Sequence, residues 1–354
     1  MREVYSRLKA LRFPDRLGAL EGGPPAAPVH LRIKPVNACN HHCWYCAYRA
    51  DNLQLGDQMK LRDRIPDEKM DEIVDDAIAM GVKAVTFSGG GEPLLYAGLP
   101  HAVERLAAGG VRTATLTNGA LLKGPVAQAF AEHGTWIRVS MDAWDGPSYA
   151  ASRGVGENAY AETMTNLTRF AATGTKCALG VSYIVGKDNA AHIAAFCRQA
   201  RDSGVSSVKL SACVVGNSAQ ENNDYHAPLA GLVAEQVARA RELERPGFRV
   251  VDHYHRMDER FDKDYRRCAY LQFLVVIGAD CAVYSCQDKA YTDSGRLGSI
   301  KERSLKDFWF SDENRTRMAG IDPSRDCRHH CVSHTKNQLL NEYLSLDPEH
   351  ADFV

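Results

Sequence analysis

Cys39-Asn40-His41-His42-Cys43-Trp44-Tyr45-Cys46 decides the fold and chemistry of this 354-residue chain, because it holds three cysteines in a CxxxCxxC spacing. It follows residues 30–34, in which apolar and polar residues alternate as in a β-strand. Thiolates are the usual protein ligands of iron–sulfur clusters, so three on one loop can hold three irons of a cubane. The fourth iron would be open to another ligand. An open iron can bind and activate a substrate, whereas a cluster closed by four cysteines mainly transfers electrons.

Two other interpretations of this motif stay open. The cysteines could bind zinc together with His41 or His42, although structural zinc sites commonly combine two CxxC pairs. They could also be buried thiols without a metal. The whole chain has 11 cysteines, and an odd number cannot pair completely. Residues 1–10 lack the apolar core of a signal peptide, so we expect a cytoplasmic protein whose thiols stay reduced.

The composition excludes several classes of protein. Hydrophobic residues make up 45% and charged residues 25%, which is typical of globular domains. The 43 basic and 44 acidic residues give a net charge of −1, without the basic excess of a nucleic-acid-binding protein. No apolar run approaches the roughly 20 residues that span a bilayer. We therefore expect neither a nucleic-acid nor a membrane partner.

Outward from the motif, predicted strands alternate with predicted helices. The predicted strands are residues 30–34, 84–87, 112–117, 136–140, 178–185 and 207–211. A segment with apolar residues at helical spacing follows each strand. Repeated strand–helix units build a parallel α/β sheet, with functional groups on the loops after the strands. The spacing alone does not distinguish a partial barrel from a doubly wound sheet.

A cysteine-bearing segment follows the last of these units. Residues 274–277 and 282–285 predict a hairpin around a Gly-Ala-Asp turn, and residues 304–310 predict a short helix. Four cysteines surround this hairpin in the sequence: Cys268, Cys286, Cys327 and Cys331. Four thiolates from two stretches could close a cubane. Zinc is the alternative, because four-cysteine zinc sites are common.

The CxxxCxxC motif after the first strand of a β/α chain resembles the radical S-adenosylmethionine (radical SAM) superfamily. The resemblance implies a partial (β/α)6 TIM-like barrel in which Cys39, Cys43 and Cys46 bind a [4Fe-4S] cluster. The open iron of that cluster chelates the methionine moiety of S-adenosylmethionine. One electron, from a donor such as flavodoxin or ferredoxin, cleaves the sulfonium to a 5′-deoxyadenosyl radical. The radical abstracts hydrogen from a substrate.

Further residues resemble the family's contacts to the methionine moiety. Gly89-Gly90-Gly91-Glu92 resembles the GGE motif, whose backbone and carboxylate contact the methionine amino group. Glycine lets a ligand approach the backbone closely, and a carboxylate accepts a charge-assisted hydrogen bond from an ammonium group. Arg153 would bind the methionine carboxylate, with a surface ion pair as the alternative. Asn118 would line the same cavity or form an Asn-Gly turn.

The resemblance also implies contacts to the nucleoside part. Ser140 and Asp142, at the end of the fourth strand, are candidates for the ribose hydroxyls. Ser182 and Val185 on the fifth strand are candidates for ribose and adenine contacts. Tyr45 resembles the aromatic residue that packs beside the adenine, and its alternative is an ordinary buried ring.

The C-terminal cysteines resemble the one-cluster twitch form of the SPASM extension, which implies that Cys268, Cys286, Cys327 and Cys331 bind one auxiliary [4Fe-4S] cluster. Cys281 occupies the place of a SPASM glycine, and we treat it as a neighbour of the cluster. The predicted organisation has four parts: an N-terminal extension (1–29), a radical SAM partial barrel (30–245), a twitch-type module (246–332) and a C-terminal tail helix (333–354).

The family resemblance favours net oxidation, since an auxiliary cluster can accept an electron from a substrate radical. About 29 residues precede the first strand, which we expect to be too few for the leader-peptide-binding domain of many peptide-modifying relatives. We therefore expect a small polar substrate, such as a sugar, aminocyclitol or nucleotide sugar. Gln287, Asp288, Lys289 and residues 253–256 are candidate substrate contacts.

Three alternatives remain. The enzyme could be a redox-neutral epimerase in which Cys213, just past the sixth strand, or Cys281 donates a hydrogen atom. It could be a maturase of ribosomally made peptides. Outside the enzymes, it could be a zinc-binding scaffold.

Overall fold

A parallel sheet that starts at the strand before the cysteine motif organises the molecule. The computed structural model describes residues 5–23, 25–50, 53, 56–254, 258–350 and 353. The strands within these residues are β1 (His30–Ile33), β2 (Ala84–Phe87), β3 (Arg112–Thr117), β4 (Gly134–Ser140), β5 (Ala178–Val185), β6 (Ser207–Ala212), β7 (Arg249–His253), β8 (Leu274–Ile277), β9 (Ala282–Tyr284) and β10 (Arg296–Ser299).

Helices connect most of these strands. The α-helices within the described residues are α1 (Pro14–Leu20), α2 (Asp67–Ala79), α3 (Leu99–Ala108), α4 (Gly124–His133), α5 (Gly146–Arg153), α6 (Asn158–Ala171), α7 (Ile193–Asp202), α8 (Ala219–His226), α9 (Ala230–Arg241), α10 (Asp258–Phe261), α11 (Leu305–Trp309), α12 (Asp312–Ala319), α13 (Pro323–Asp326) and α14 (His334–Leu344). Among the described residues, no helix combines the length and apolar character needed to cross a bilayer.

The described strands form one sheet in the order β10-β9-β8-β1-β2-β3-β4-β5-β6-β7. Strands β1 to β7 pair in parallel with their sequence neighbours, and β8 pairs in parallel with the other edge of β1. The hairpin strands β9 and β10 continue the sheet in antiparallel pairing. The predicted α/β class with a parallel sheet is confirmed. The hairpin that follows Cys268 therefore lies directly beside the strand that leads to Cys39.

Strands β7 and β10 and helix α5 are among the elements that were absent from the sequence prediction. Strand β7 continues the parallel series past residue 245, where a short segment with apolar residues only at Val250 and Val251 shows little periodicity. Strand β10 is interrupted by a register shift between Arg296 and Gly298. Helix α5 begins at a capping box. The Asp145 side chain accepts a hydrogen bond from the backbone N–H of Ser148, and the Ser148 side chain accepts one from the backbone N–H of Asp145. The two residues have the spacing of a capping box, so the sequence could have indicated this helix.

The two faces of the parallel strands differ in character. One face packs under the helices and carries fully buried apolar residues such as Val139, Val181 and Leu210. The opposite face of the same strands carries polar residues, among them Ser140 and Lys209. Alternation along a strand places neighbouring residues on opposite faces, which accounts for this division.

A second apolar cluster joins the two ends of the chain. Leu17 and Leu20 of α1 pack with Ala269, Phe273 and Leu340, so that the N-terminal segment, the cysteine-rich segment and α14 share one small core. The four-part organisation stays a prediction. The continuous sheet and this shared core join all of the proposed parts.

Candidate active site

A cavity of about 490 Å³ opens at the carboxyl ends of the parallel strands. The predicted site residues that line it are Cys39, Cys43, Tyr45, Cys46, Gly89, Gly90, Gly91, Glu92, Asn118, Ser140, Arg153 and Cys213. Gln287 and Asp288 of the cysteine-rich segment line the same cavity, as do His329 and His330. The structure therefore brings most of the predicted residues, from distant parts of the chain, to one space.

The three cysteines of the motif are half-buried free thiols on the cavity wall. A backbone turn orders their loop, because the N–H of Cys46 donates to the carbonyl of Cys43 at 3.2 Å. Burial raises the pKa of the Cys39 and Cys43 thiols. Thiols on one wall of an accessible cavity fit the ligand set of a cluster that a small molecule can reach.

The glycine loop lies against the loop that carries the first cysteine. Gly91 N–H donates to the carbonyl of Val36 at 3.1 Å, and Glu92 N–H donates to the carbonyl of Ala38 at 2.9 Å. A Cβ atom on Gly91 would collide with the Ala38 backbone, and one on Gly90 would collide with the Asn37 side chain. The glycines are thus required for the approach of these two loops, in addition to any contact with a ligand.

Glu92 ties the glycine loop to the end of β3. Its buried carboxylate accepts hydrogen bonds from Thr117 Oγ1 at 2.6 Å, from the N–H of Asn118 at 2.7 Å and from the N–H of Leu94 at 3.0 Å. Burial raises the pKa of Glu92, and these hydrogen bonds oppose that rise. Asn118 Nδ2 donates to Asn40 Oδ1 at 2.7 Å and lies 4.0 Å from Cys39 Sγ. Asn118 is therefore part of the cavity wall as well as of an Asn-Gly turn.

Arg153 and Asp142 form a buried ion pair behind the cysteines. Arg153 Nη1 lies 3.6 Å from Cys43 Sγ, and the Tyr45 hydroxyl donates to the same Asp142 oxygen that Nη2 contacts. The other Asp142 oxygen accepts from the N–H of Ile184 at 2.6 Å. Burial by itself would lower the pKa of Arg153, but Tyr45, Asp142 and Cys43 together raise it well above its ordinary value.

This arrangement bears on two expectations. Asp142, a candidate for the ribose hydroxyls, is only 3% exposed, and protein groups occupy both of its carboxylate oxygens. It also lines a cavity of about 340 Å³ beside the large one, and its contact with the ribose stays a prediction. The ion pair that was the alternative for Arg153 is present, although it is buried and not on the surface. Arg153 still lines the cavity, so its contact with a carboxylate of the cosubstrate stays a prediction.

The two candidates on β5 lie away from the cavity lining. Val185 was expected to contact the adenine, but its side chain is fully buried in the main core. Ser182 pairs in register with Ser140 within the sheet and does not line the cavity. Ile184, two residues beyond Ser182 on the same face, does line it. Because side chains two residues apart on a strand lie on the same face, the sequence could have indicated Ile184, which the sequence analysis missed.

The other four candidate ligands line a second, much smaller cavity of about 30 Å³. Cys268, Cys286, Cys327 and Cys331 reach it from three segments, together with Lys289 and other residues. This convergence fits the ligand set of an auxiliary cluster, with four thiols around one space. Cys281 does not line it. It is buried in the main core at the hairpin turn, with a φ of 59°.

The two cavities meet at the cysteine-rich segment. The side-chain ligand atoms of Cys286, Asp288 and His329 lie within 4.8 Å of one another. Asp288 and Lys289 were both candidates for substrate contacts. Asp288 lines the large cavity, whereas Lys289 lines the small cavity with the four cysteines. Of the candidate segment 253–256, His255 and Arg256 lie outside the described residues.

Cys213 lies between the large cavity and a neighbouring cavity of about 340 Å³ and lines both. Trp44, Trp144 and Pro147 form much of the wall of that neighbouring cavity. Burial raises the pKa of Cys213 to about 12, so the thiol keeps its proton near neutral pH. Its Sγ lies 3.9 Å from the carbonyl oxygen of Val214.

Comparison with known proteins agrees with this geometry. Residues 33–200 match the radical SAM superfamily. The GTP 3′,8-cyclase of Xanthomonas campestris pv. campestris is 37% identical over 118 residues, which are 32% of this chain and 33% of that relative. The match therefore spans about a third of the length of the relative.

Solved structures resemble most of the chain in fold. Streptococcus suis SuiB bound to the precursor peptide SuiA has a TM-score of 0.63 at 14% identity, covering 98% of this chain and 80% of SuiB. The protein anSMEcpe with bound AdoMet has a TM-score of 0.58 at 15% identity, covering 90% of this chain and 97% of anSMEcpe. At such identities the likeness concerns the fold.

At the carboxyl edge of the parallel sheet, the cysteine-lined cavity lies where α/β enzymes place their active sites. Residues 33–200 form a radical SAM domain. Its cofactors are S-adenosylmethionine and a [4Fe-4S] cluster, and the additional cysteines fit an auxiliary cluster.

Proposed function

We propose that this enzyme abstracts a hydrogen atom from a small polar substrate and completes a net oxidation with the help of an auxiliary cluster. The observation that carries the proposal is the shared cavity. Cys39, Cys43 and Cys46 line one side of it, and Asp288 and His329 of the cysteine-rich segment line another. A substrate between them would lie close to both cluster sites.

The protein side chains divide the work of holding the cofactors. Cys39, Cys43 and Cys46 would hold the first cluster, which with S-adenosylmethionine supplies a 5′-deoxyadenosyl radical when an external donor such as flavodoxin or ferredoxin provides one electron. Glu92 fixes the glycine loop beside Cys39. Arg153, itself oriented by Asp142, places a positive charge 3.6 Å from the sulfur of Cys43.

Cys268, Cys286, Cys327 and Cys331 would hold the auxiliary cluster, whose chemistry is to accept the electron that a substrate radical must lose. A chain of hydrogen bonds connects the two regions. Lys34 Nζ donates to the carbonyl of Gly89 and to the Tyr48 hydroxyl at 2.6 Å, and that hydroxyl donates to the carbonyl of Gln287 at 3.0 Å. These contacts hold the glycine loop and the auxiliary segment at a constant separation.

The substrate class follows from the cavity and from the relatives. Carboxylate, imidazole and amide groups face the cavity, which suits a sugar, an aminocyclitol or a nucleotide sugar. The Xanthomonas relative is named for a reaction of GTP, and this supports a nucleoside-containing member of that group. The SuiB title names a peptide, but the resemblance to SuiB concerns the fold alone.

Epimerisation is a second candidate, and the position of Cys213 favours it. A protonated thiol on the wall of the cavity could return a hydrogen atom to a substrate radical. Products made in heavy water distinguish the two reactions. Epimerisation incorporates deuterium at the inverted carbon, whereas oxidation yields a carbonyl product without it.

The test of the proposed function is an assay of the anaerobically purified protein. We expect a brown protein with two four-iron clusters that forms 5′-deoxyadenosine from S-adenosylmethionine when dithionite is added. Candidate sugars, aminocyclitols and nucleotide sugars are then compared for oxidised product. A colourless protein that contains zinc and forms no 5′-deoxyadenosine would instead support the scaffold alternative.

A further inference from the structure

Two lysine side chains are buried in the wall of the small cavity. Lys263 and Lys289 line it together with four cysteines, which are Cys268, Cys286, Cys327 and Cys331. The two lysines are only 8% and 4% exposed, and lysine is rarely buried so deeply unless its ammonium group has partners. Lys263 follows α10, whereas Lys289 ends a short 3-10 turn, so two separate segments bring a cation to the same space.

Backbone carbonyls hold the ammonium group of Lys263. Its Nζ atom donates to the carbonyl of Phe261 at 2.6 Å and to the carbonyl of His329 at 2.5 Å, and it also donates to the carbonyl of Arg260. A protonated lysine has three N–H donors, one more than a neutral lysine. Three acceptors therefore fit the charged form, and the arrangement holds a positive charge in the interior.

Lys289 is held in a similar way, close to a neighbouring ligand candidate. Its Nζ atom donates to the carbonyl of Asp326 at 2.8 Å. Asp326 directly precedes Cys327, and His329 lies midway between Cys327 and Cys331 in the sequence. Both lysines therefore bond the backbone of the segment that carries these two cysteines.

The positive charges act on the thiols of this segment. Burial raises the pKa of Cys327, and Lys289 and then Lys263 are the largest influences that oppose the rise. Burial raises the pKa of Cys331 to about 12, where Asp288 adds to the rise and Lys263 opposes it. A cation that opposes such a rise stabilises the thiolate, which is the form that binds iron. The same charges would stabilise further negative charge at these sulfurs.

We propose that Lys263 and Lys289 raise the reduction potential of the auxiliary cluster, so that it is suited to accept an electron from a substrate radical. This rests on the proposed function, in which the four cysteines hold that cluster. Reduction adds one negative charge to a cluster, and local charge is one of the factors that set its potential. A buried cation acts more strongly than an exposed one, because the effective dielectric constant of the interior is lower.

The proposal gives Lys289 a role in the auxiliary site in place of the substrate contact that the sequence suggested. Both lysines would act through the cluster and not on the substrate. A purely structural role is the alternative, since both side chains bond backbone carbonyls. The reduction potential distinguishes the two roles, because a hydrogen bond that only holds the backbone can be replaced by a neutral donor without changing the charge at the sulfurs.

A potentiometric titration followed by electron paramagnetic resonance tests the proposal. The full chain is reconstituted without oxygen, and iron analysis shows how much of the metal each variant holds. Titrations with and without S-adenosylmethionine separate the two signals, because the cosubstrate shifts the signal of the first cluster. Lys289→Met and Lys289→Gln should each lower the ratio of reduced to oxidised auxiliary cluster at least tenfold at a fixed potential, which is a shift of about 59 mV for one electron.

Matched variants make the result specific to the charge. Lys289→Arg keeps the charge, and its ratio should stay within about threefold of the wild type. Lys263→Gln should lower the ratio in the same direction as Lys289→Gln. Lys306→Met removes an exposed lysine on α11, and its ratio should equal that of the wild type.

Three outcomes would overturn the inference. The first is a wild-type ratio in both Lys289→Met and Lys263→Gln. The second is a wild-type ratio in Lys289→Gln beside a lowered ratio in Lys289→Met, because a neutral donor would then be sufficient. The third is loss of the auxiliary iron from both Lys289→Met and Lys289→Gln, which would show a structural role.

The proposed function is tested separately by 5′-deoxyadenosine formation and by product analysis. A protein that forms an oxidised product, but whose auxiliary potential is insensitive to both lysines, would retain the proposed function and lose this inference. A protein whose auxiliary potential follows the lysines, but whose product carries solvent deuterium at an inverted carbon, would show the reverse.

Discussion

The guanidinium of Arg153 pairs with the carboxylate of Asp142, and its other terminal nitrogen lies 3.6 Å from the sulfur of Cys43. Both side chains of the pair are almost fully buried. The carboxylate fixes the direction of the guanidinium, and the guanidinium faces a thiol that would carry negative charge when it binds iron. One ion pair thus connects the end of β4, the end of α5 and the cysteine loop.

Asp142→Asn should lower the free energy of unfolding by about 3 kcal/mol, because breaking a buried ion pair leaves an uncompensated charge in the interior. Urea unfolding at neutral pH measures the change. The control is Asp75→Asn, which breaks an exposed pair with Arg105 and should cost less than about 1 kcal/mol. Equal effects of the two substitutions would mean that burial of the Arg153 pair does not matter for stability.

Cys43→Ala should abolish the reductive cleavage of S-adenosylmethionine, because the first cluster loses one of the three proposed ligands. Formation of 5′-deoxyadenosine with dithionite as reductant is the measurement. Cys197→Ala is the matched control, since Cys197 is fully buried in the main core, away from the cavity lining. Cleavage by Cys43→Ala at the wild-type rate would refute the proposed ligand set.

Cys327→Ala should remove about half of the iron while the first site still binds S-adenosylmethionine, because the proposed sites hold one four-iron cluster each. Iron and sulfide analysis after anaerobic reconstitution gives the result. Cys281→Ala should keep the full iron content, since Cys281 lies outside the small cavity. Loss of half of the iron from Cys281→Ala, with none lost from Cys327→Ala, would exchange the roles of the two cysteines.

Asn337→Asp should make the reduction potential of the auxiliary cluster more negative. Asn337 Nδ2 donates to Cys268 Sγ at 3.5 Å, and its Oδ1 accepts from the N–H of Tyr270 at 2.8 Å. Aspartate keeps the acceptor but replaces the donor near the sulfur with a negative charge, and hydrogen bonds to sulfur and local charge both set cluster potentials.

A potentiometric titration followed by electron paramagnetic resonance compares this variant with Gln338→Glu. Gln338 is the exposed neighbour on α14, so the control makes the same change of charge away from the cavity. We expect the potential of Gln338→Glu to stay near that of the wild type. Equal shifts in both variants would show that Asn337 acts through the net charge and not through its hydrogen bond.

The strands before residue 245 could be predicted from local pattern because each consists of a short apolar or alternating run. Strands β7 and β10 could not, since Arg249, Asp252 and Arg296 interrupt the pattern, and pairing with β6 and β9 forms these strands. The same limit applied to Asp142. The sequence places Asp142 at the end of the fourth strand as a candidate for the ribose hydroxyls, and only the fold shows that α5 carries Arg153 back to pair with it.

The spacing of three cysteines after an alternating strand was enough to indicate an iron–sulfur cluster and to show the resemblance to the radical SAM superfamily, because ligands of one cluster can lie close together on a single loop. The meeting of this loop with Gln287, Asp288 and His329 was decided by the tertiary structure, since β8 pairs with β1 across more than 200 residues of chain. The shared contact of Arg138 and Lys209 with the Tyr5 ring likewise depended on the fold. A sequence shows that a strand carries a basic residue, but the sheet determines whether that residue meets solvent, a carboxylate or an open cavity.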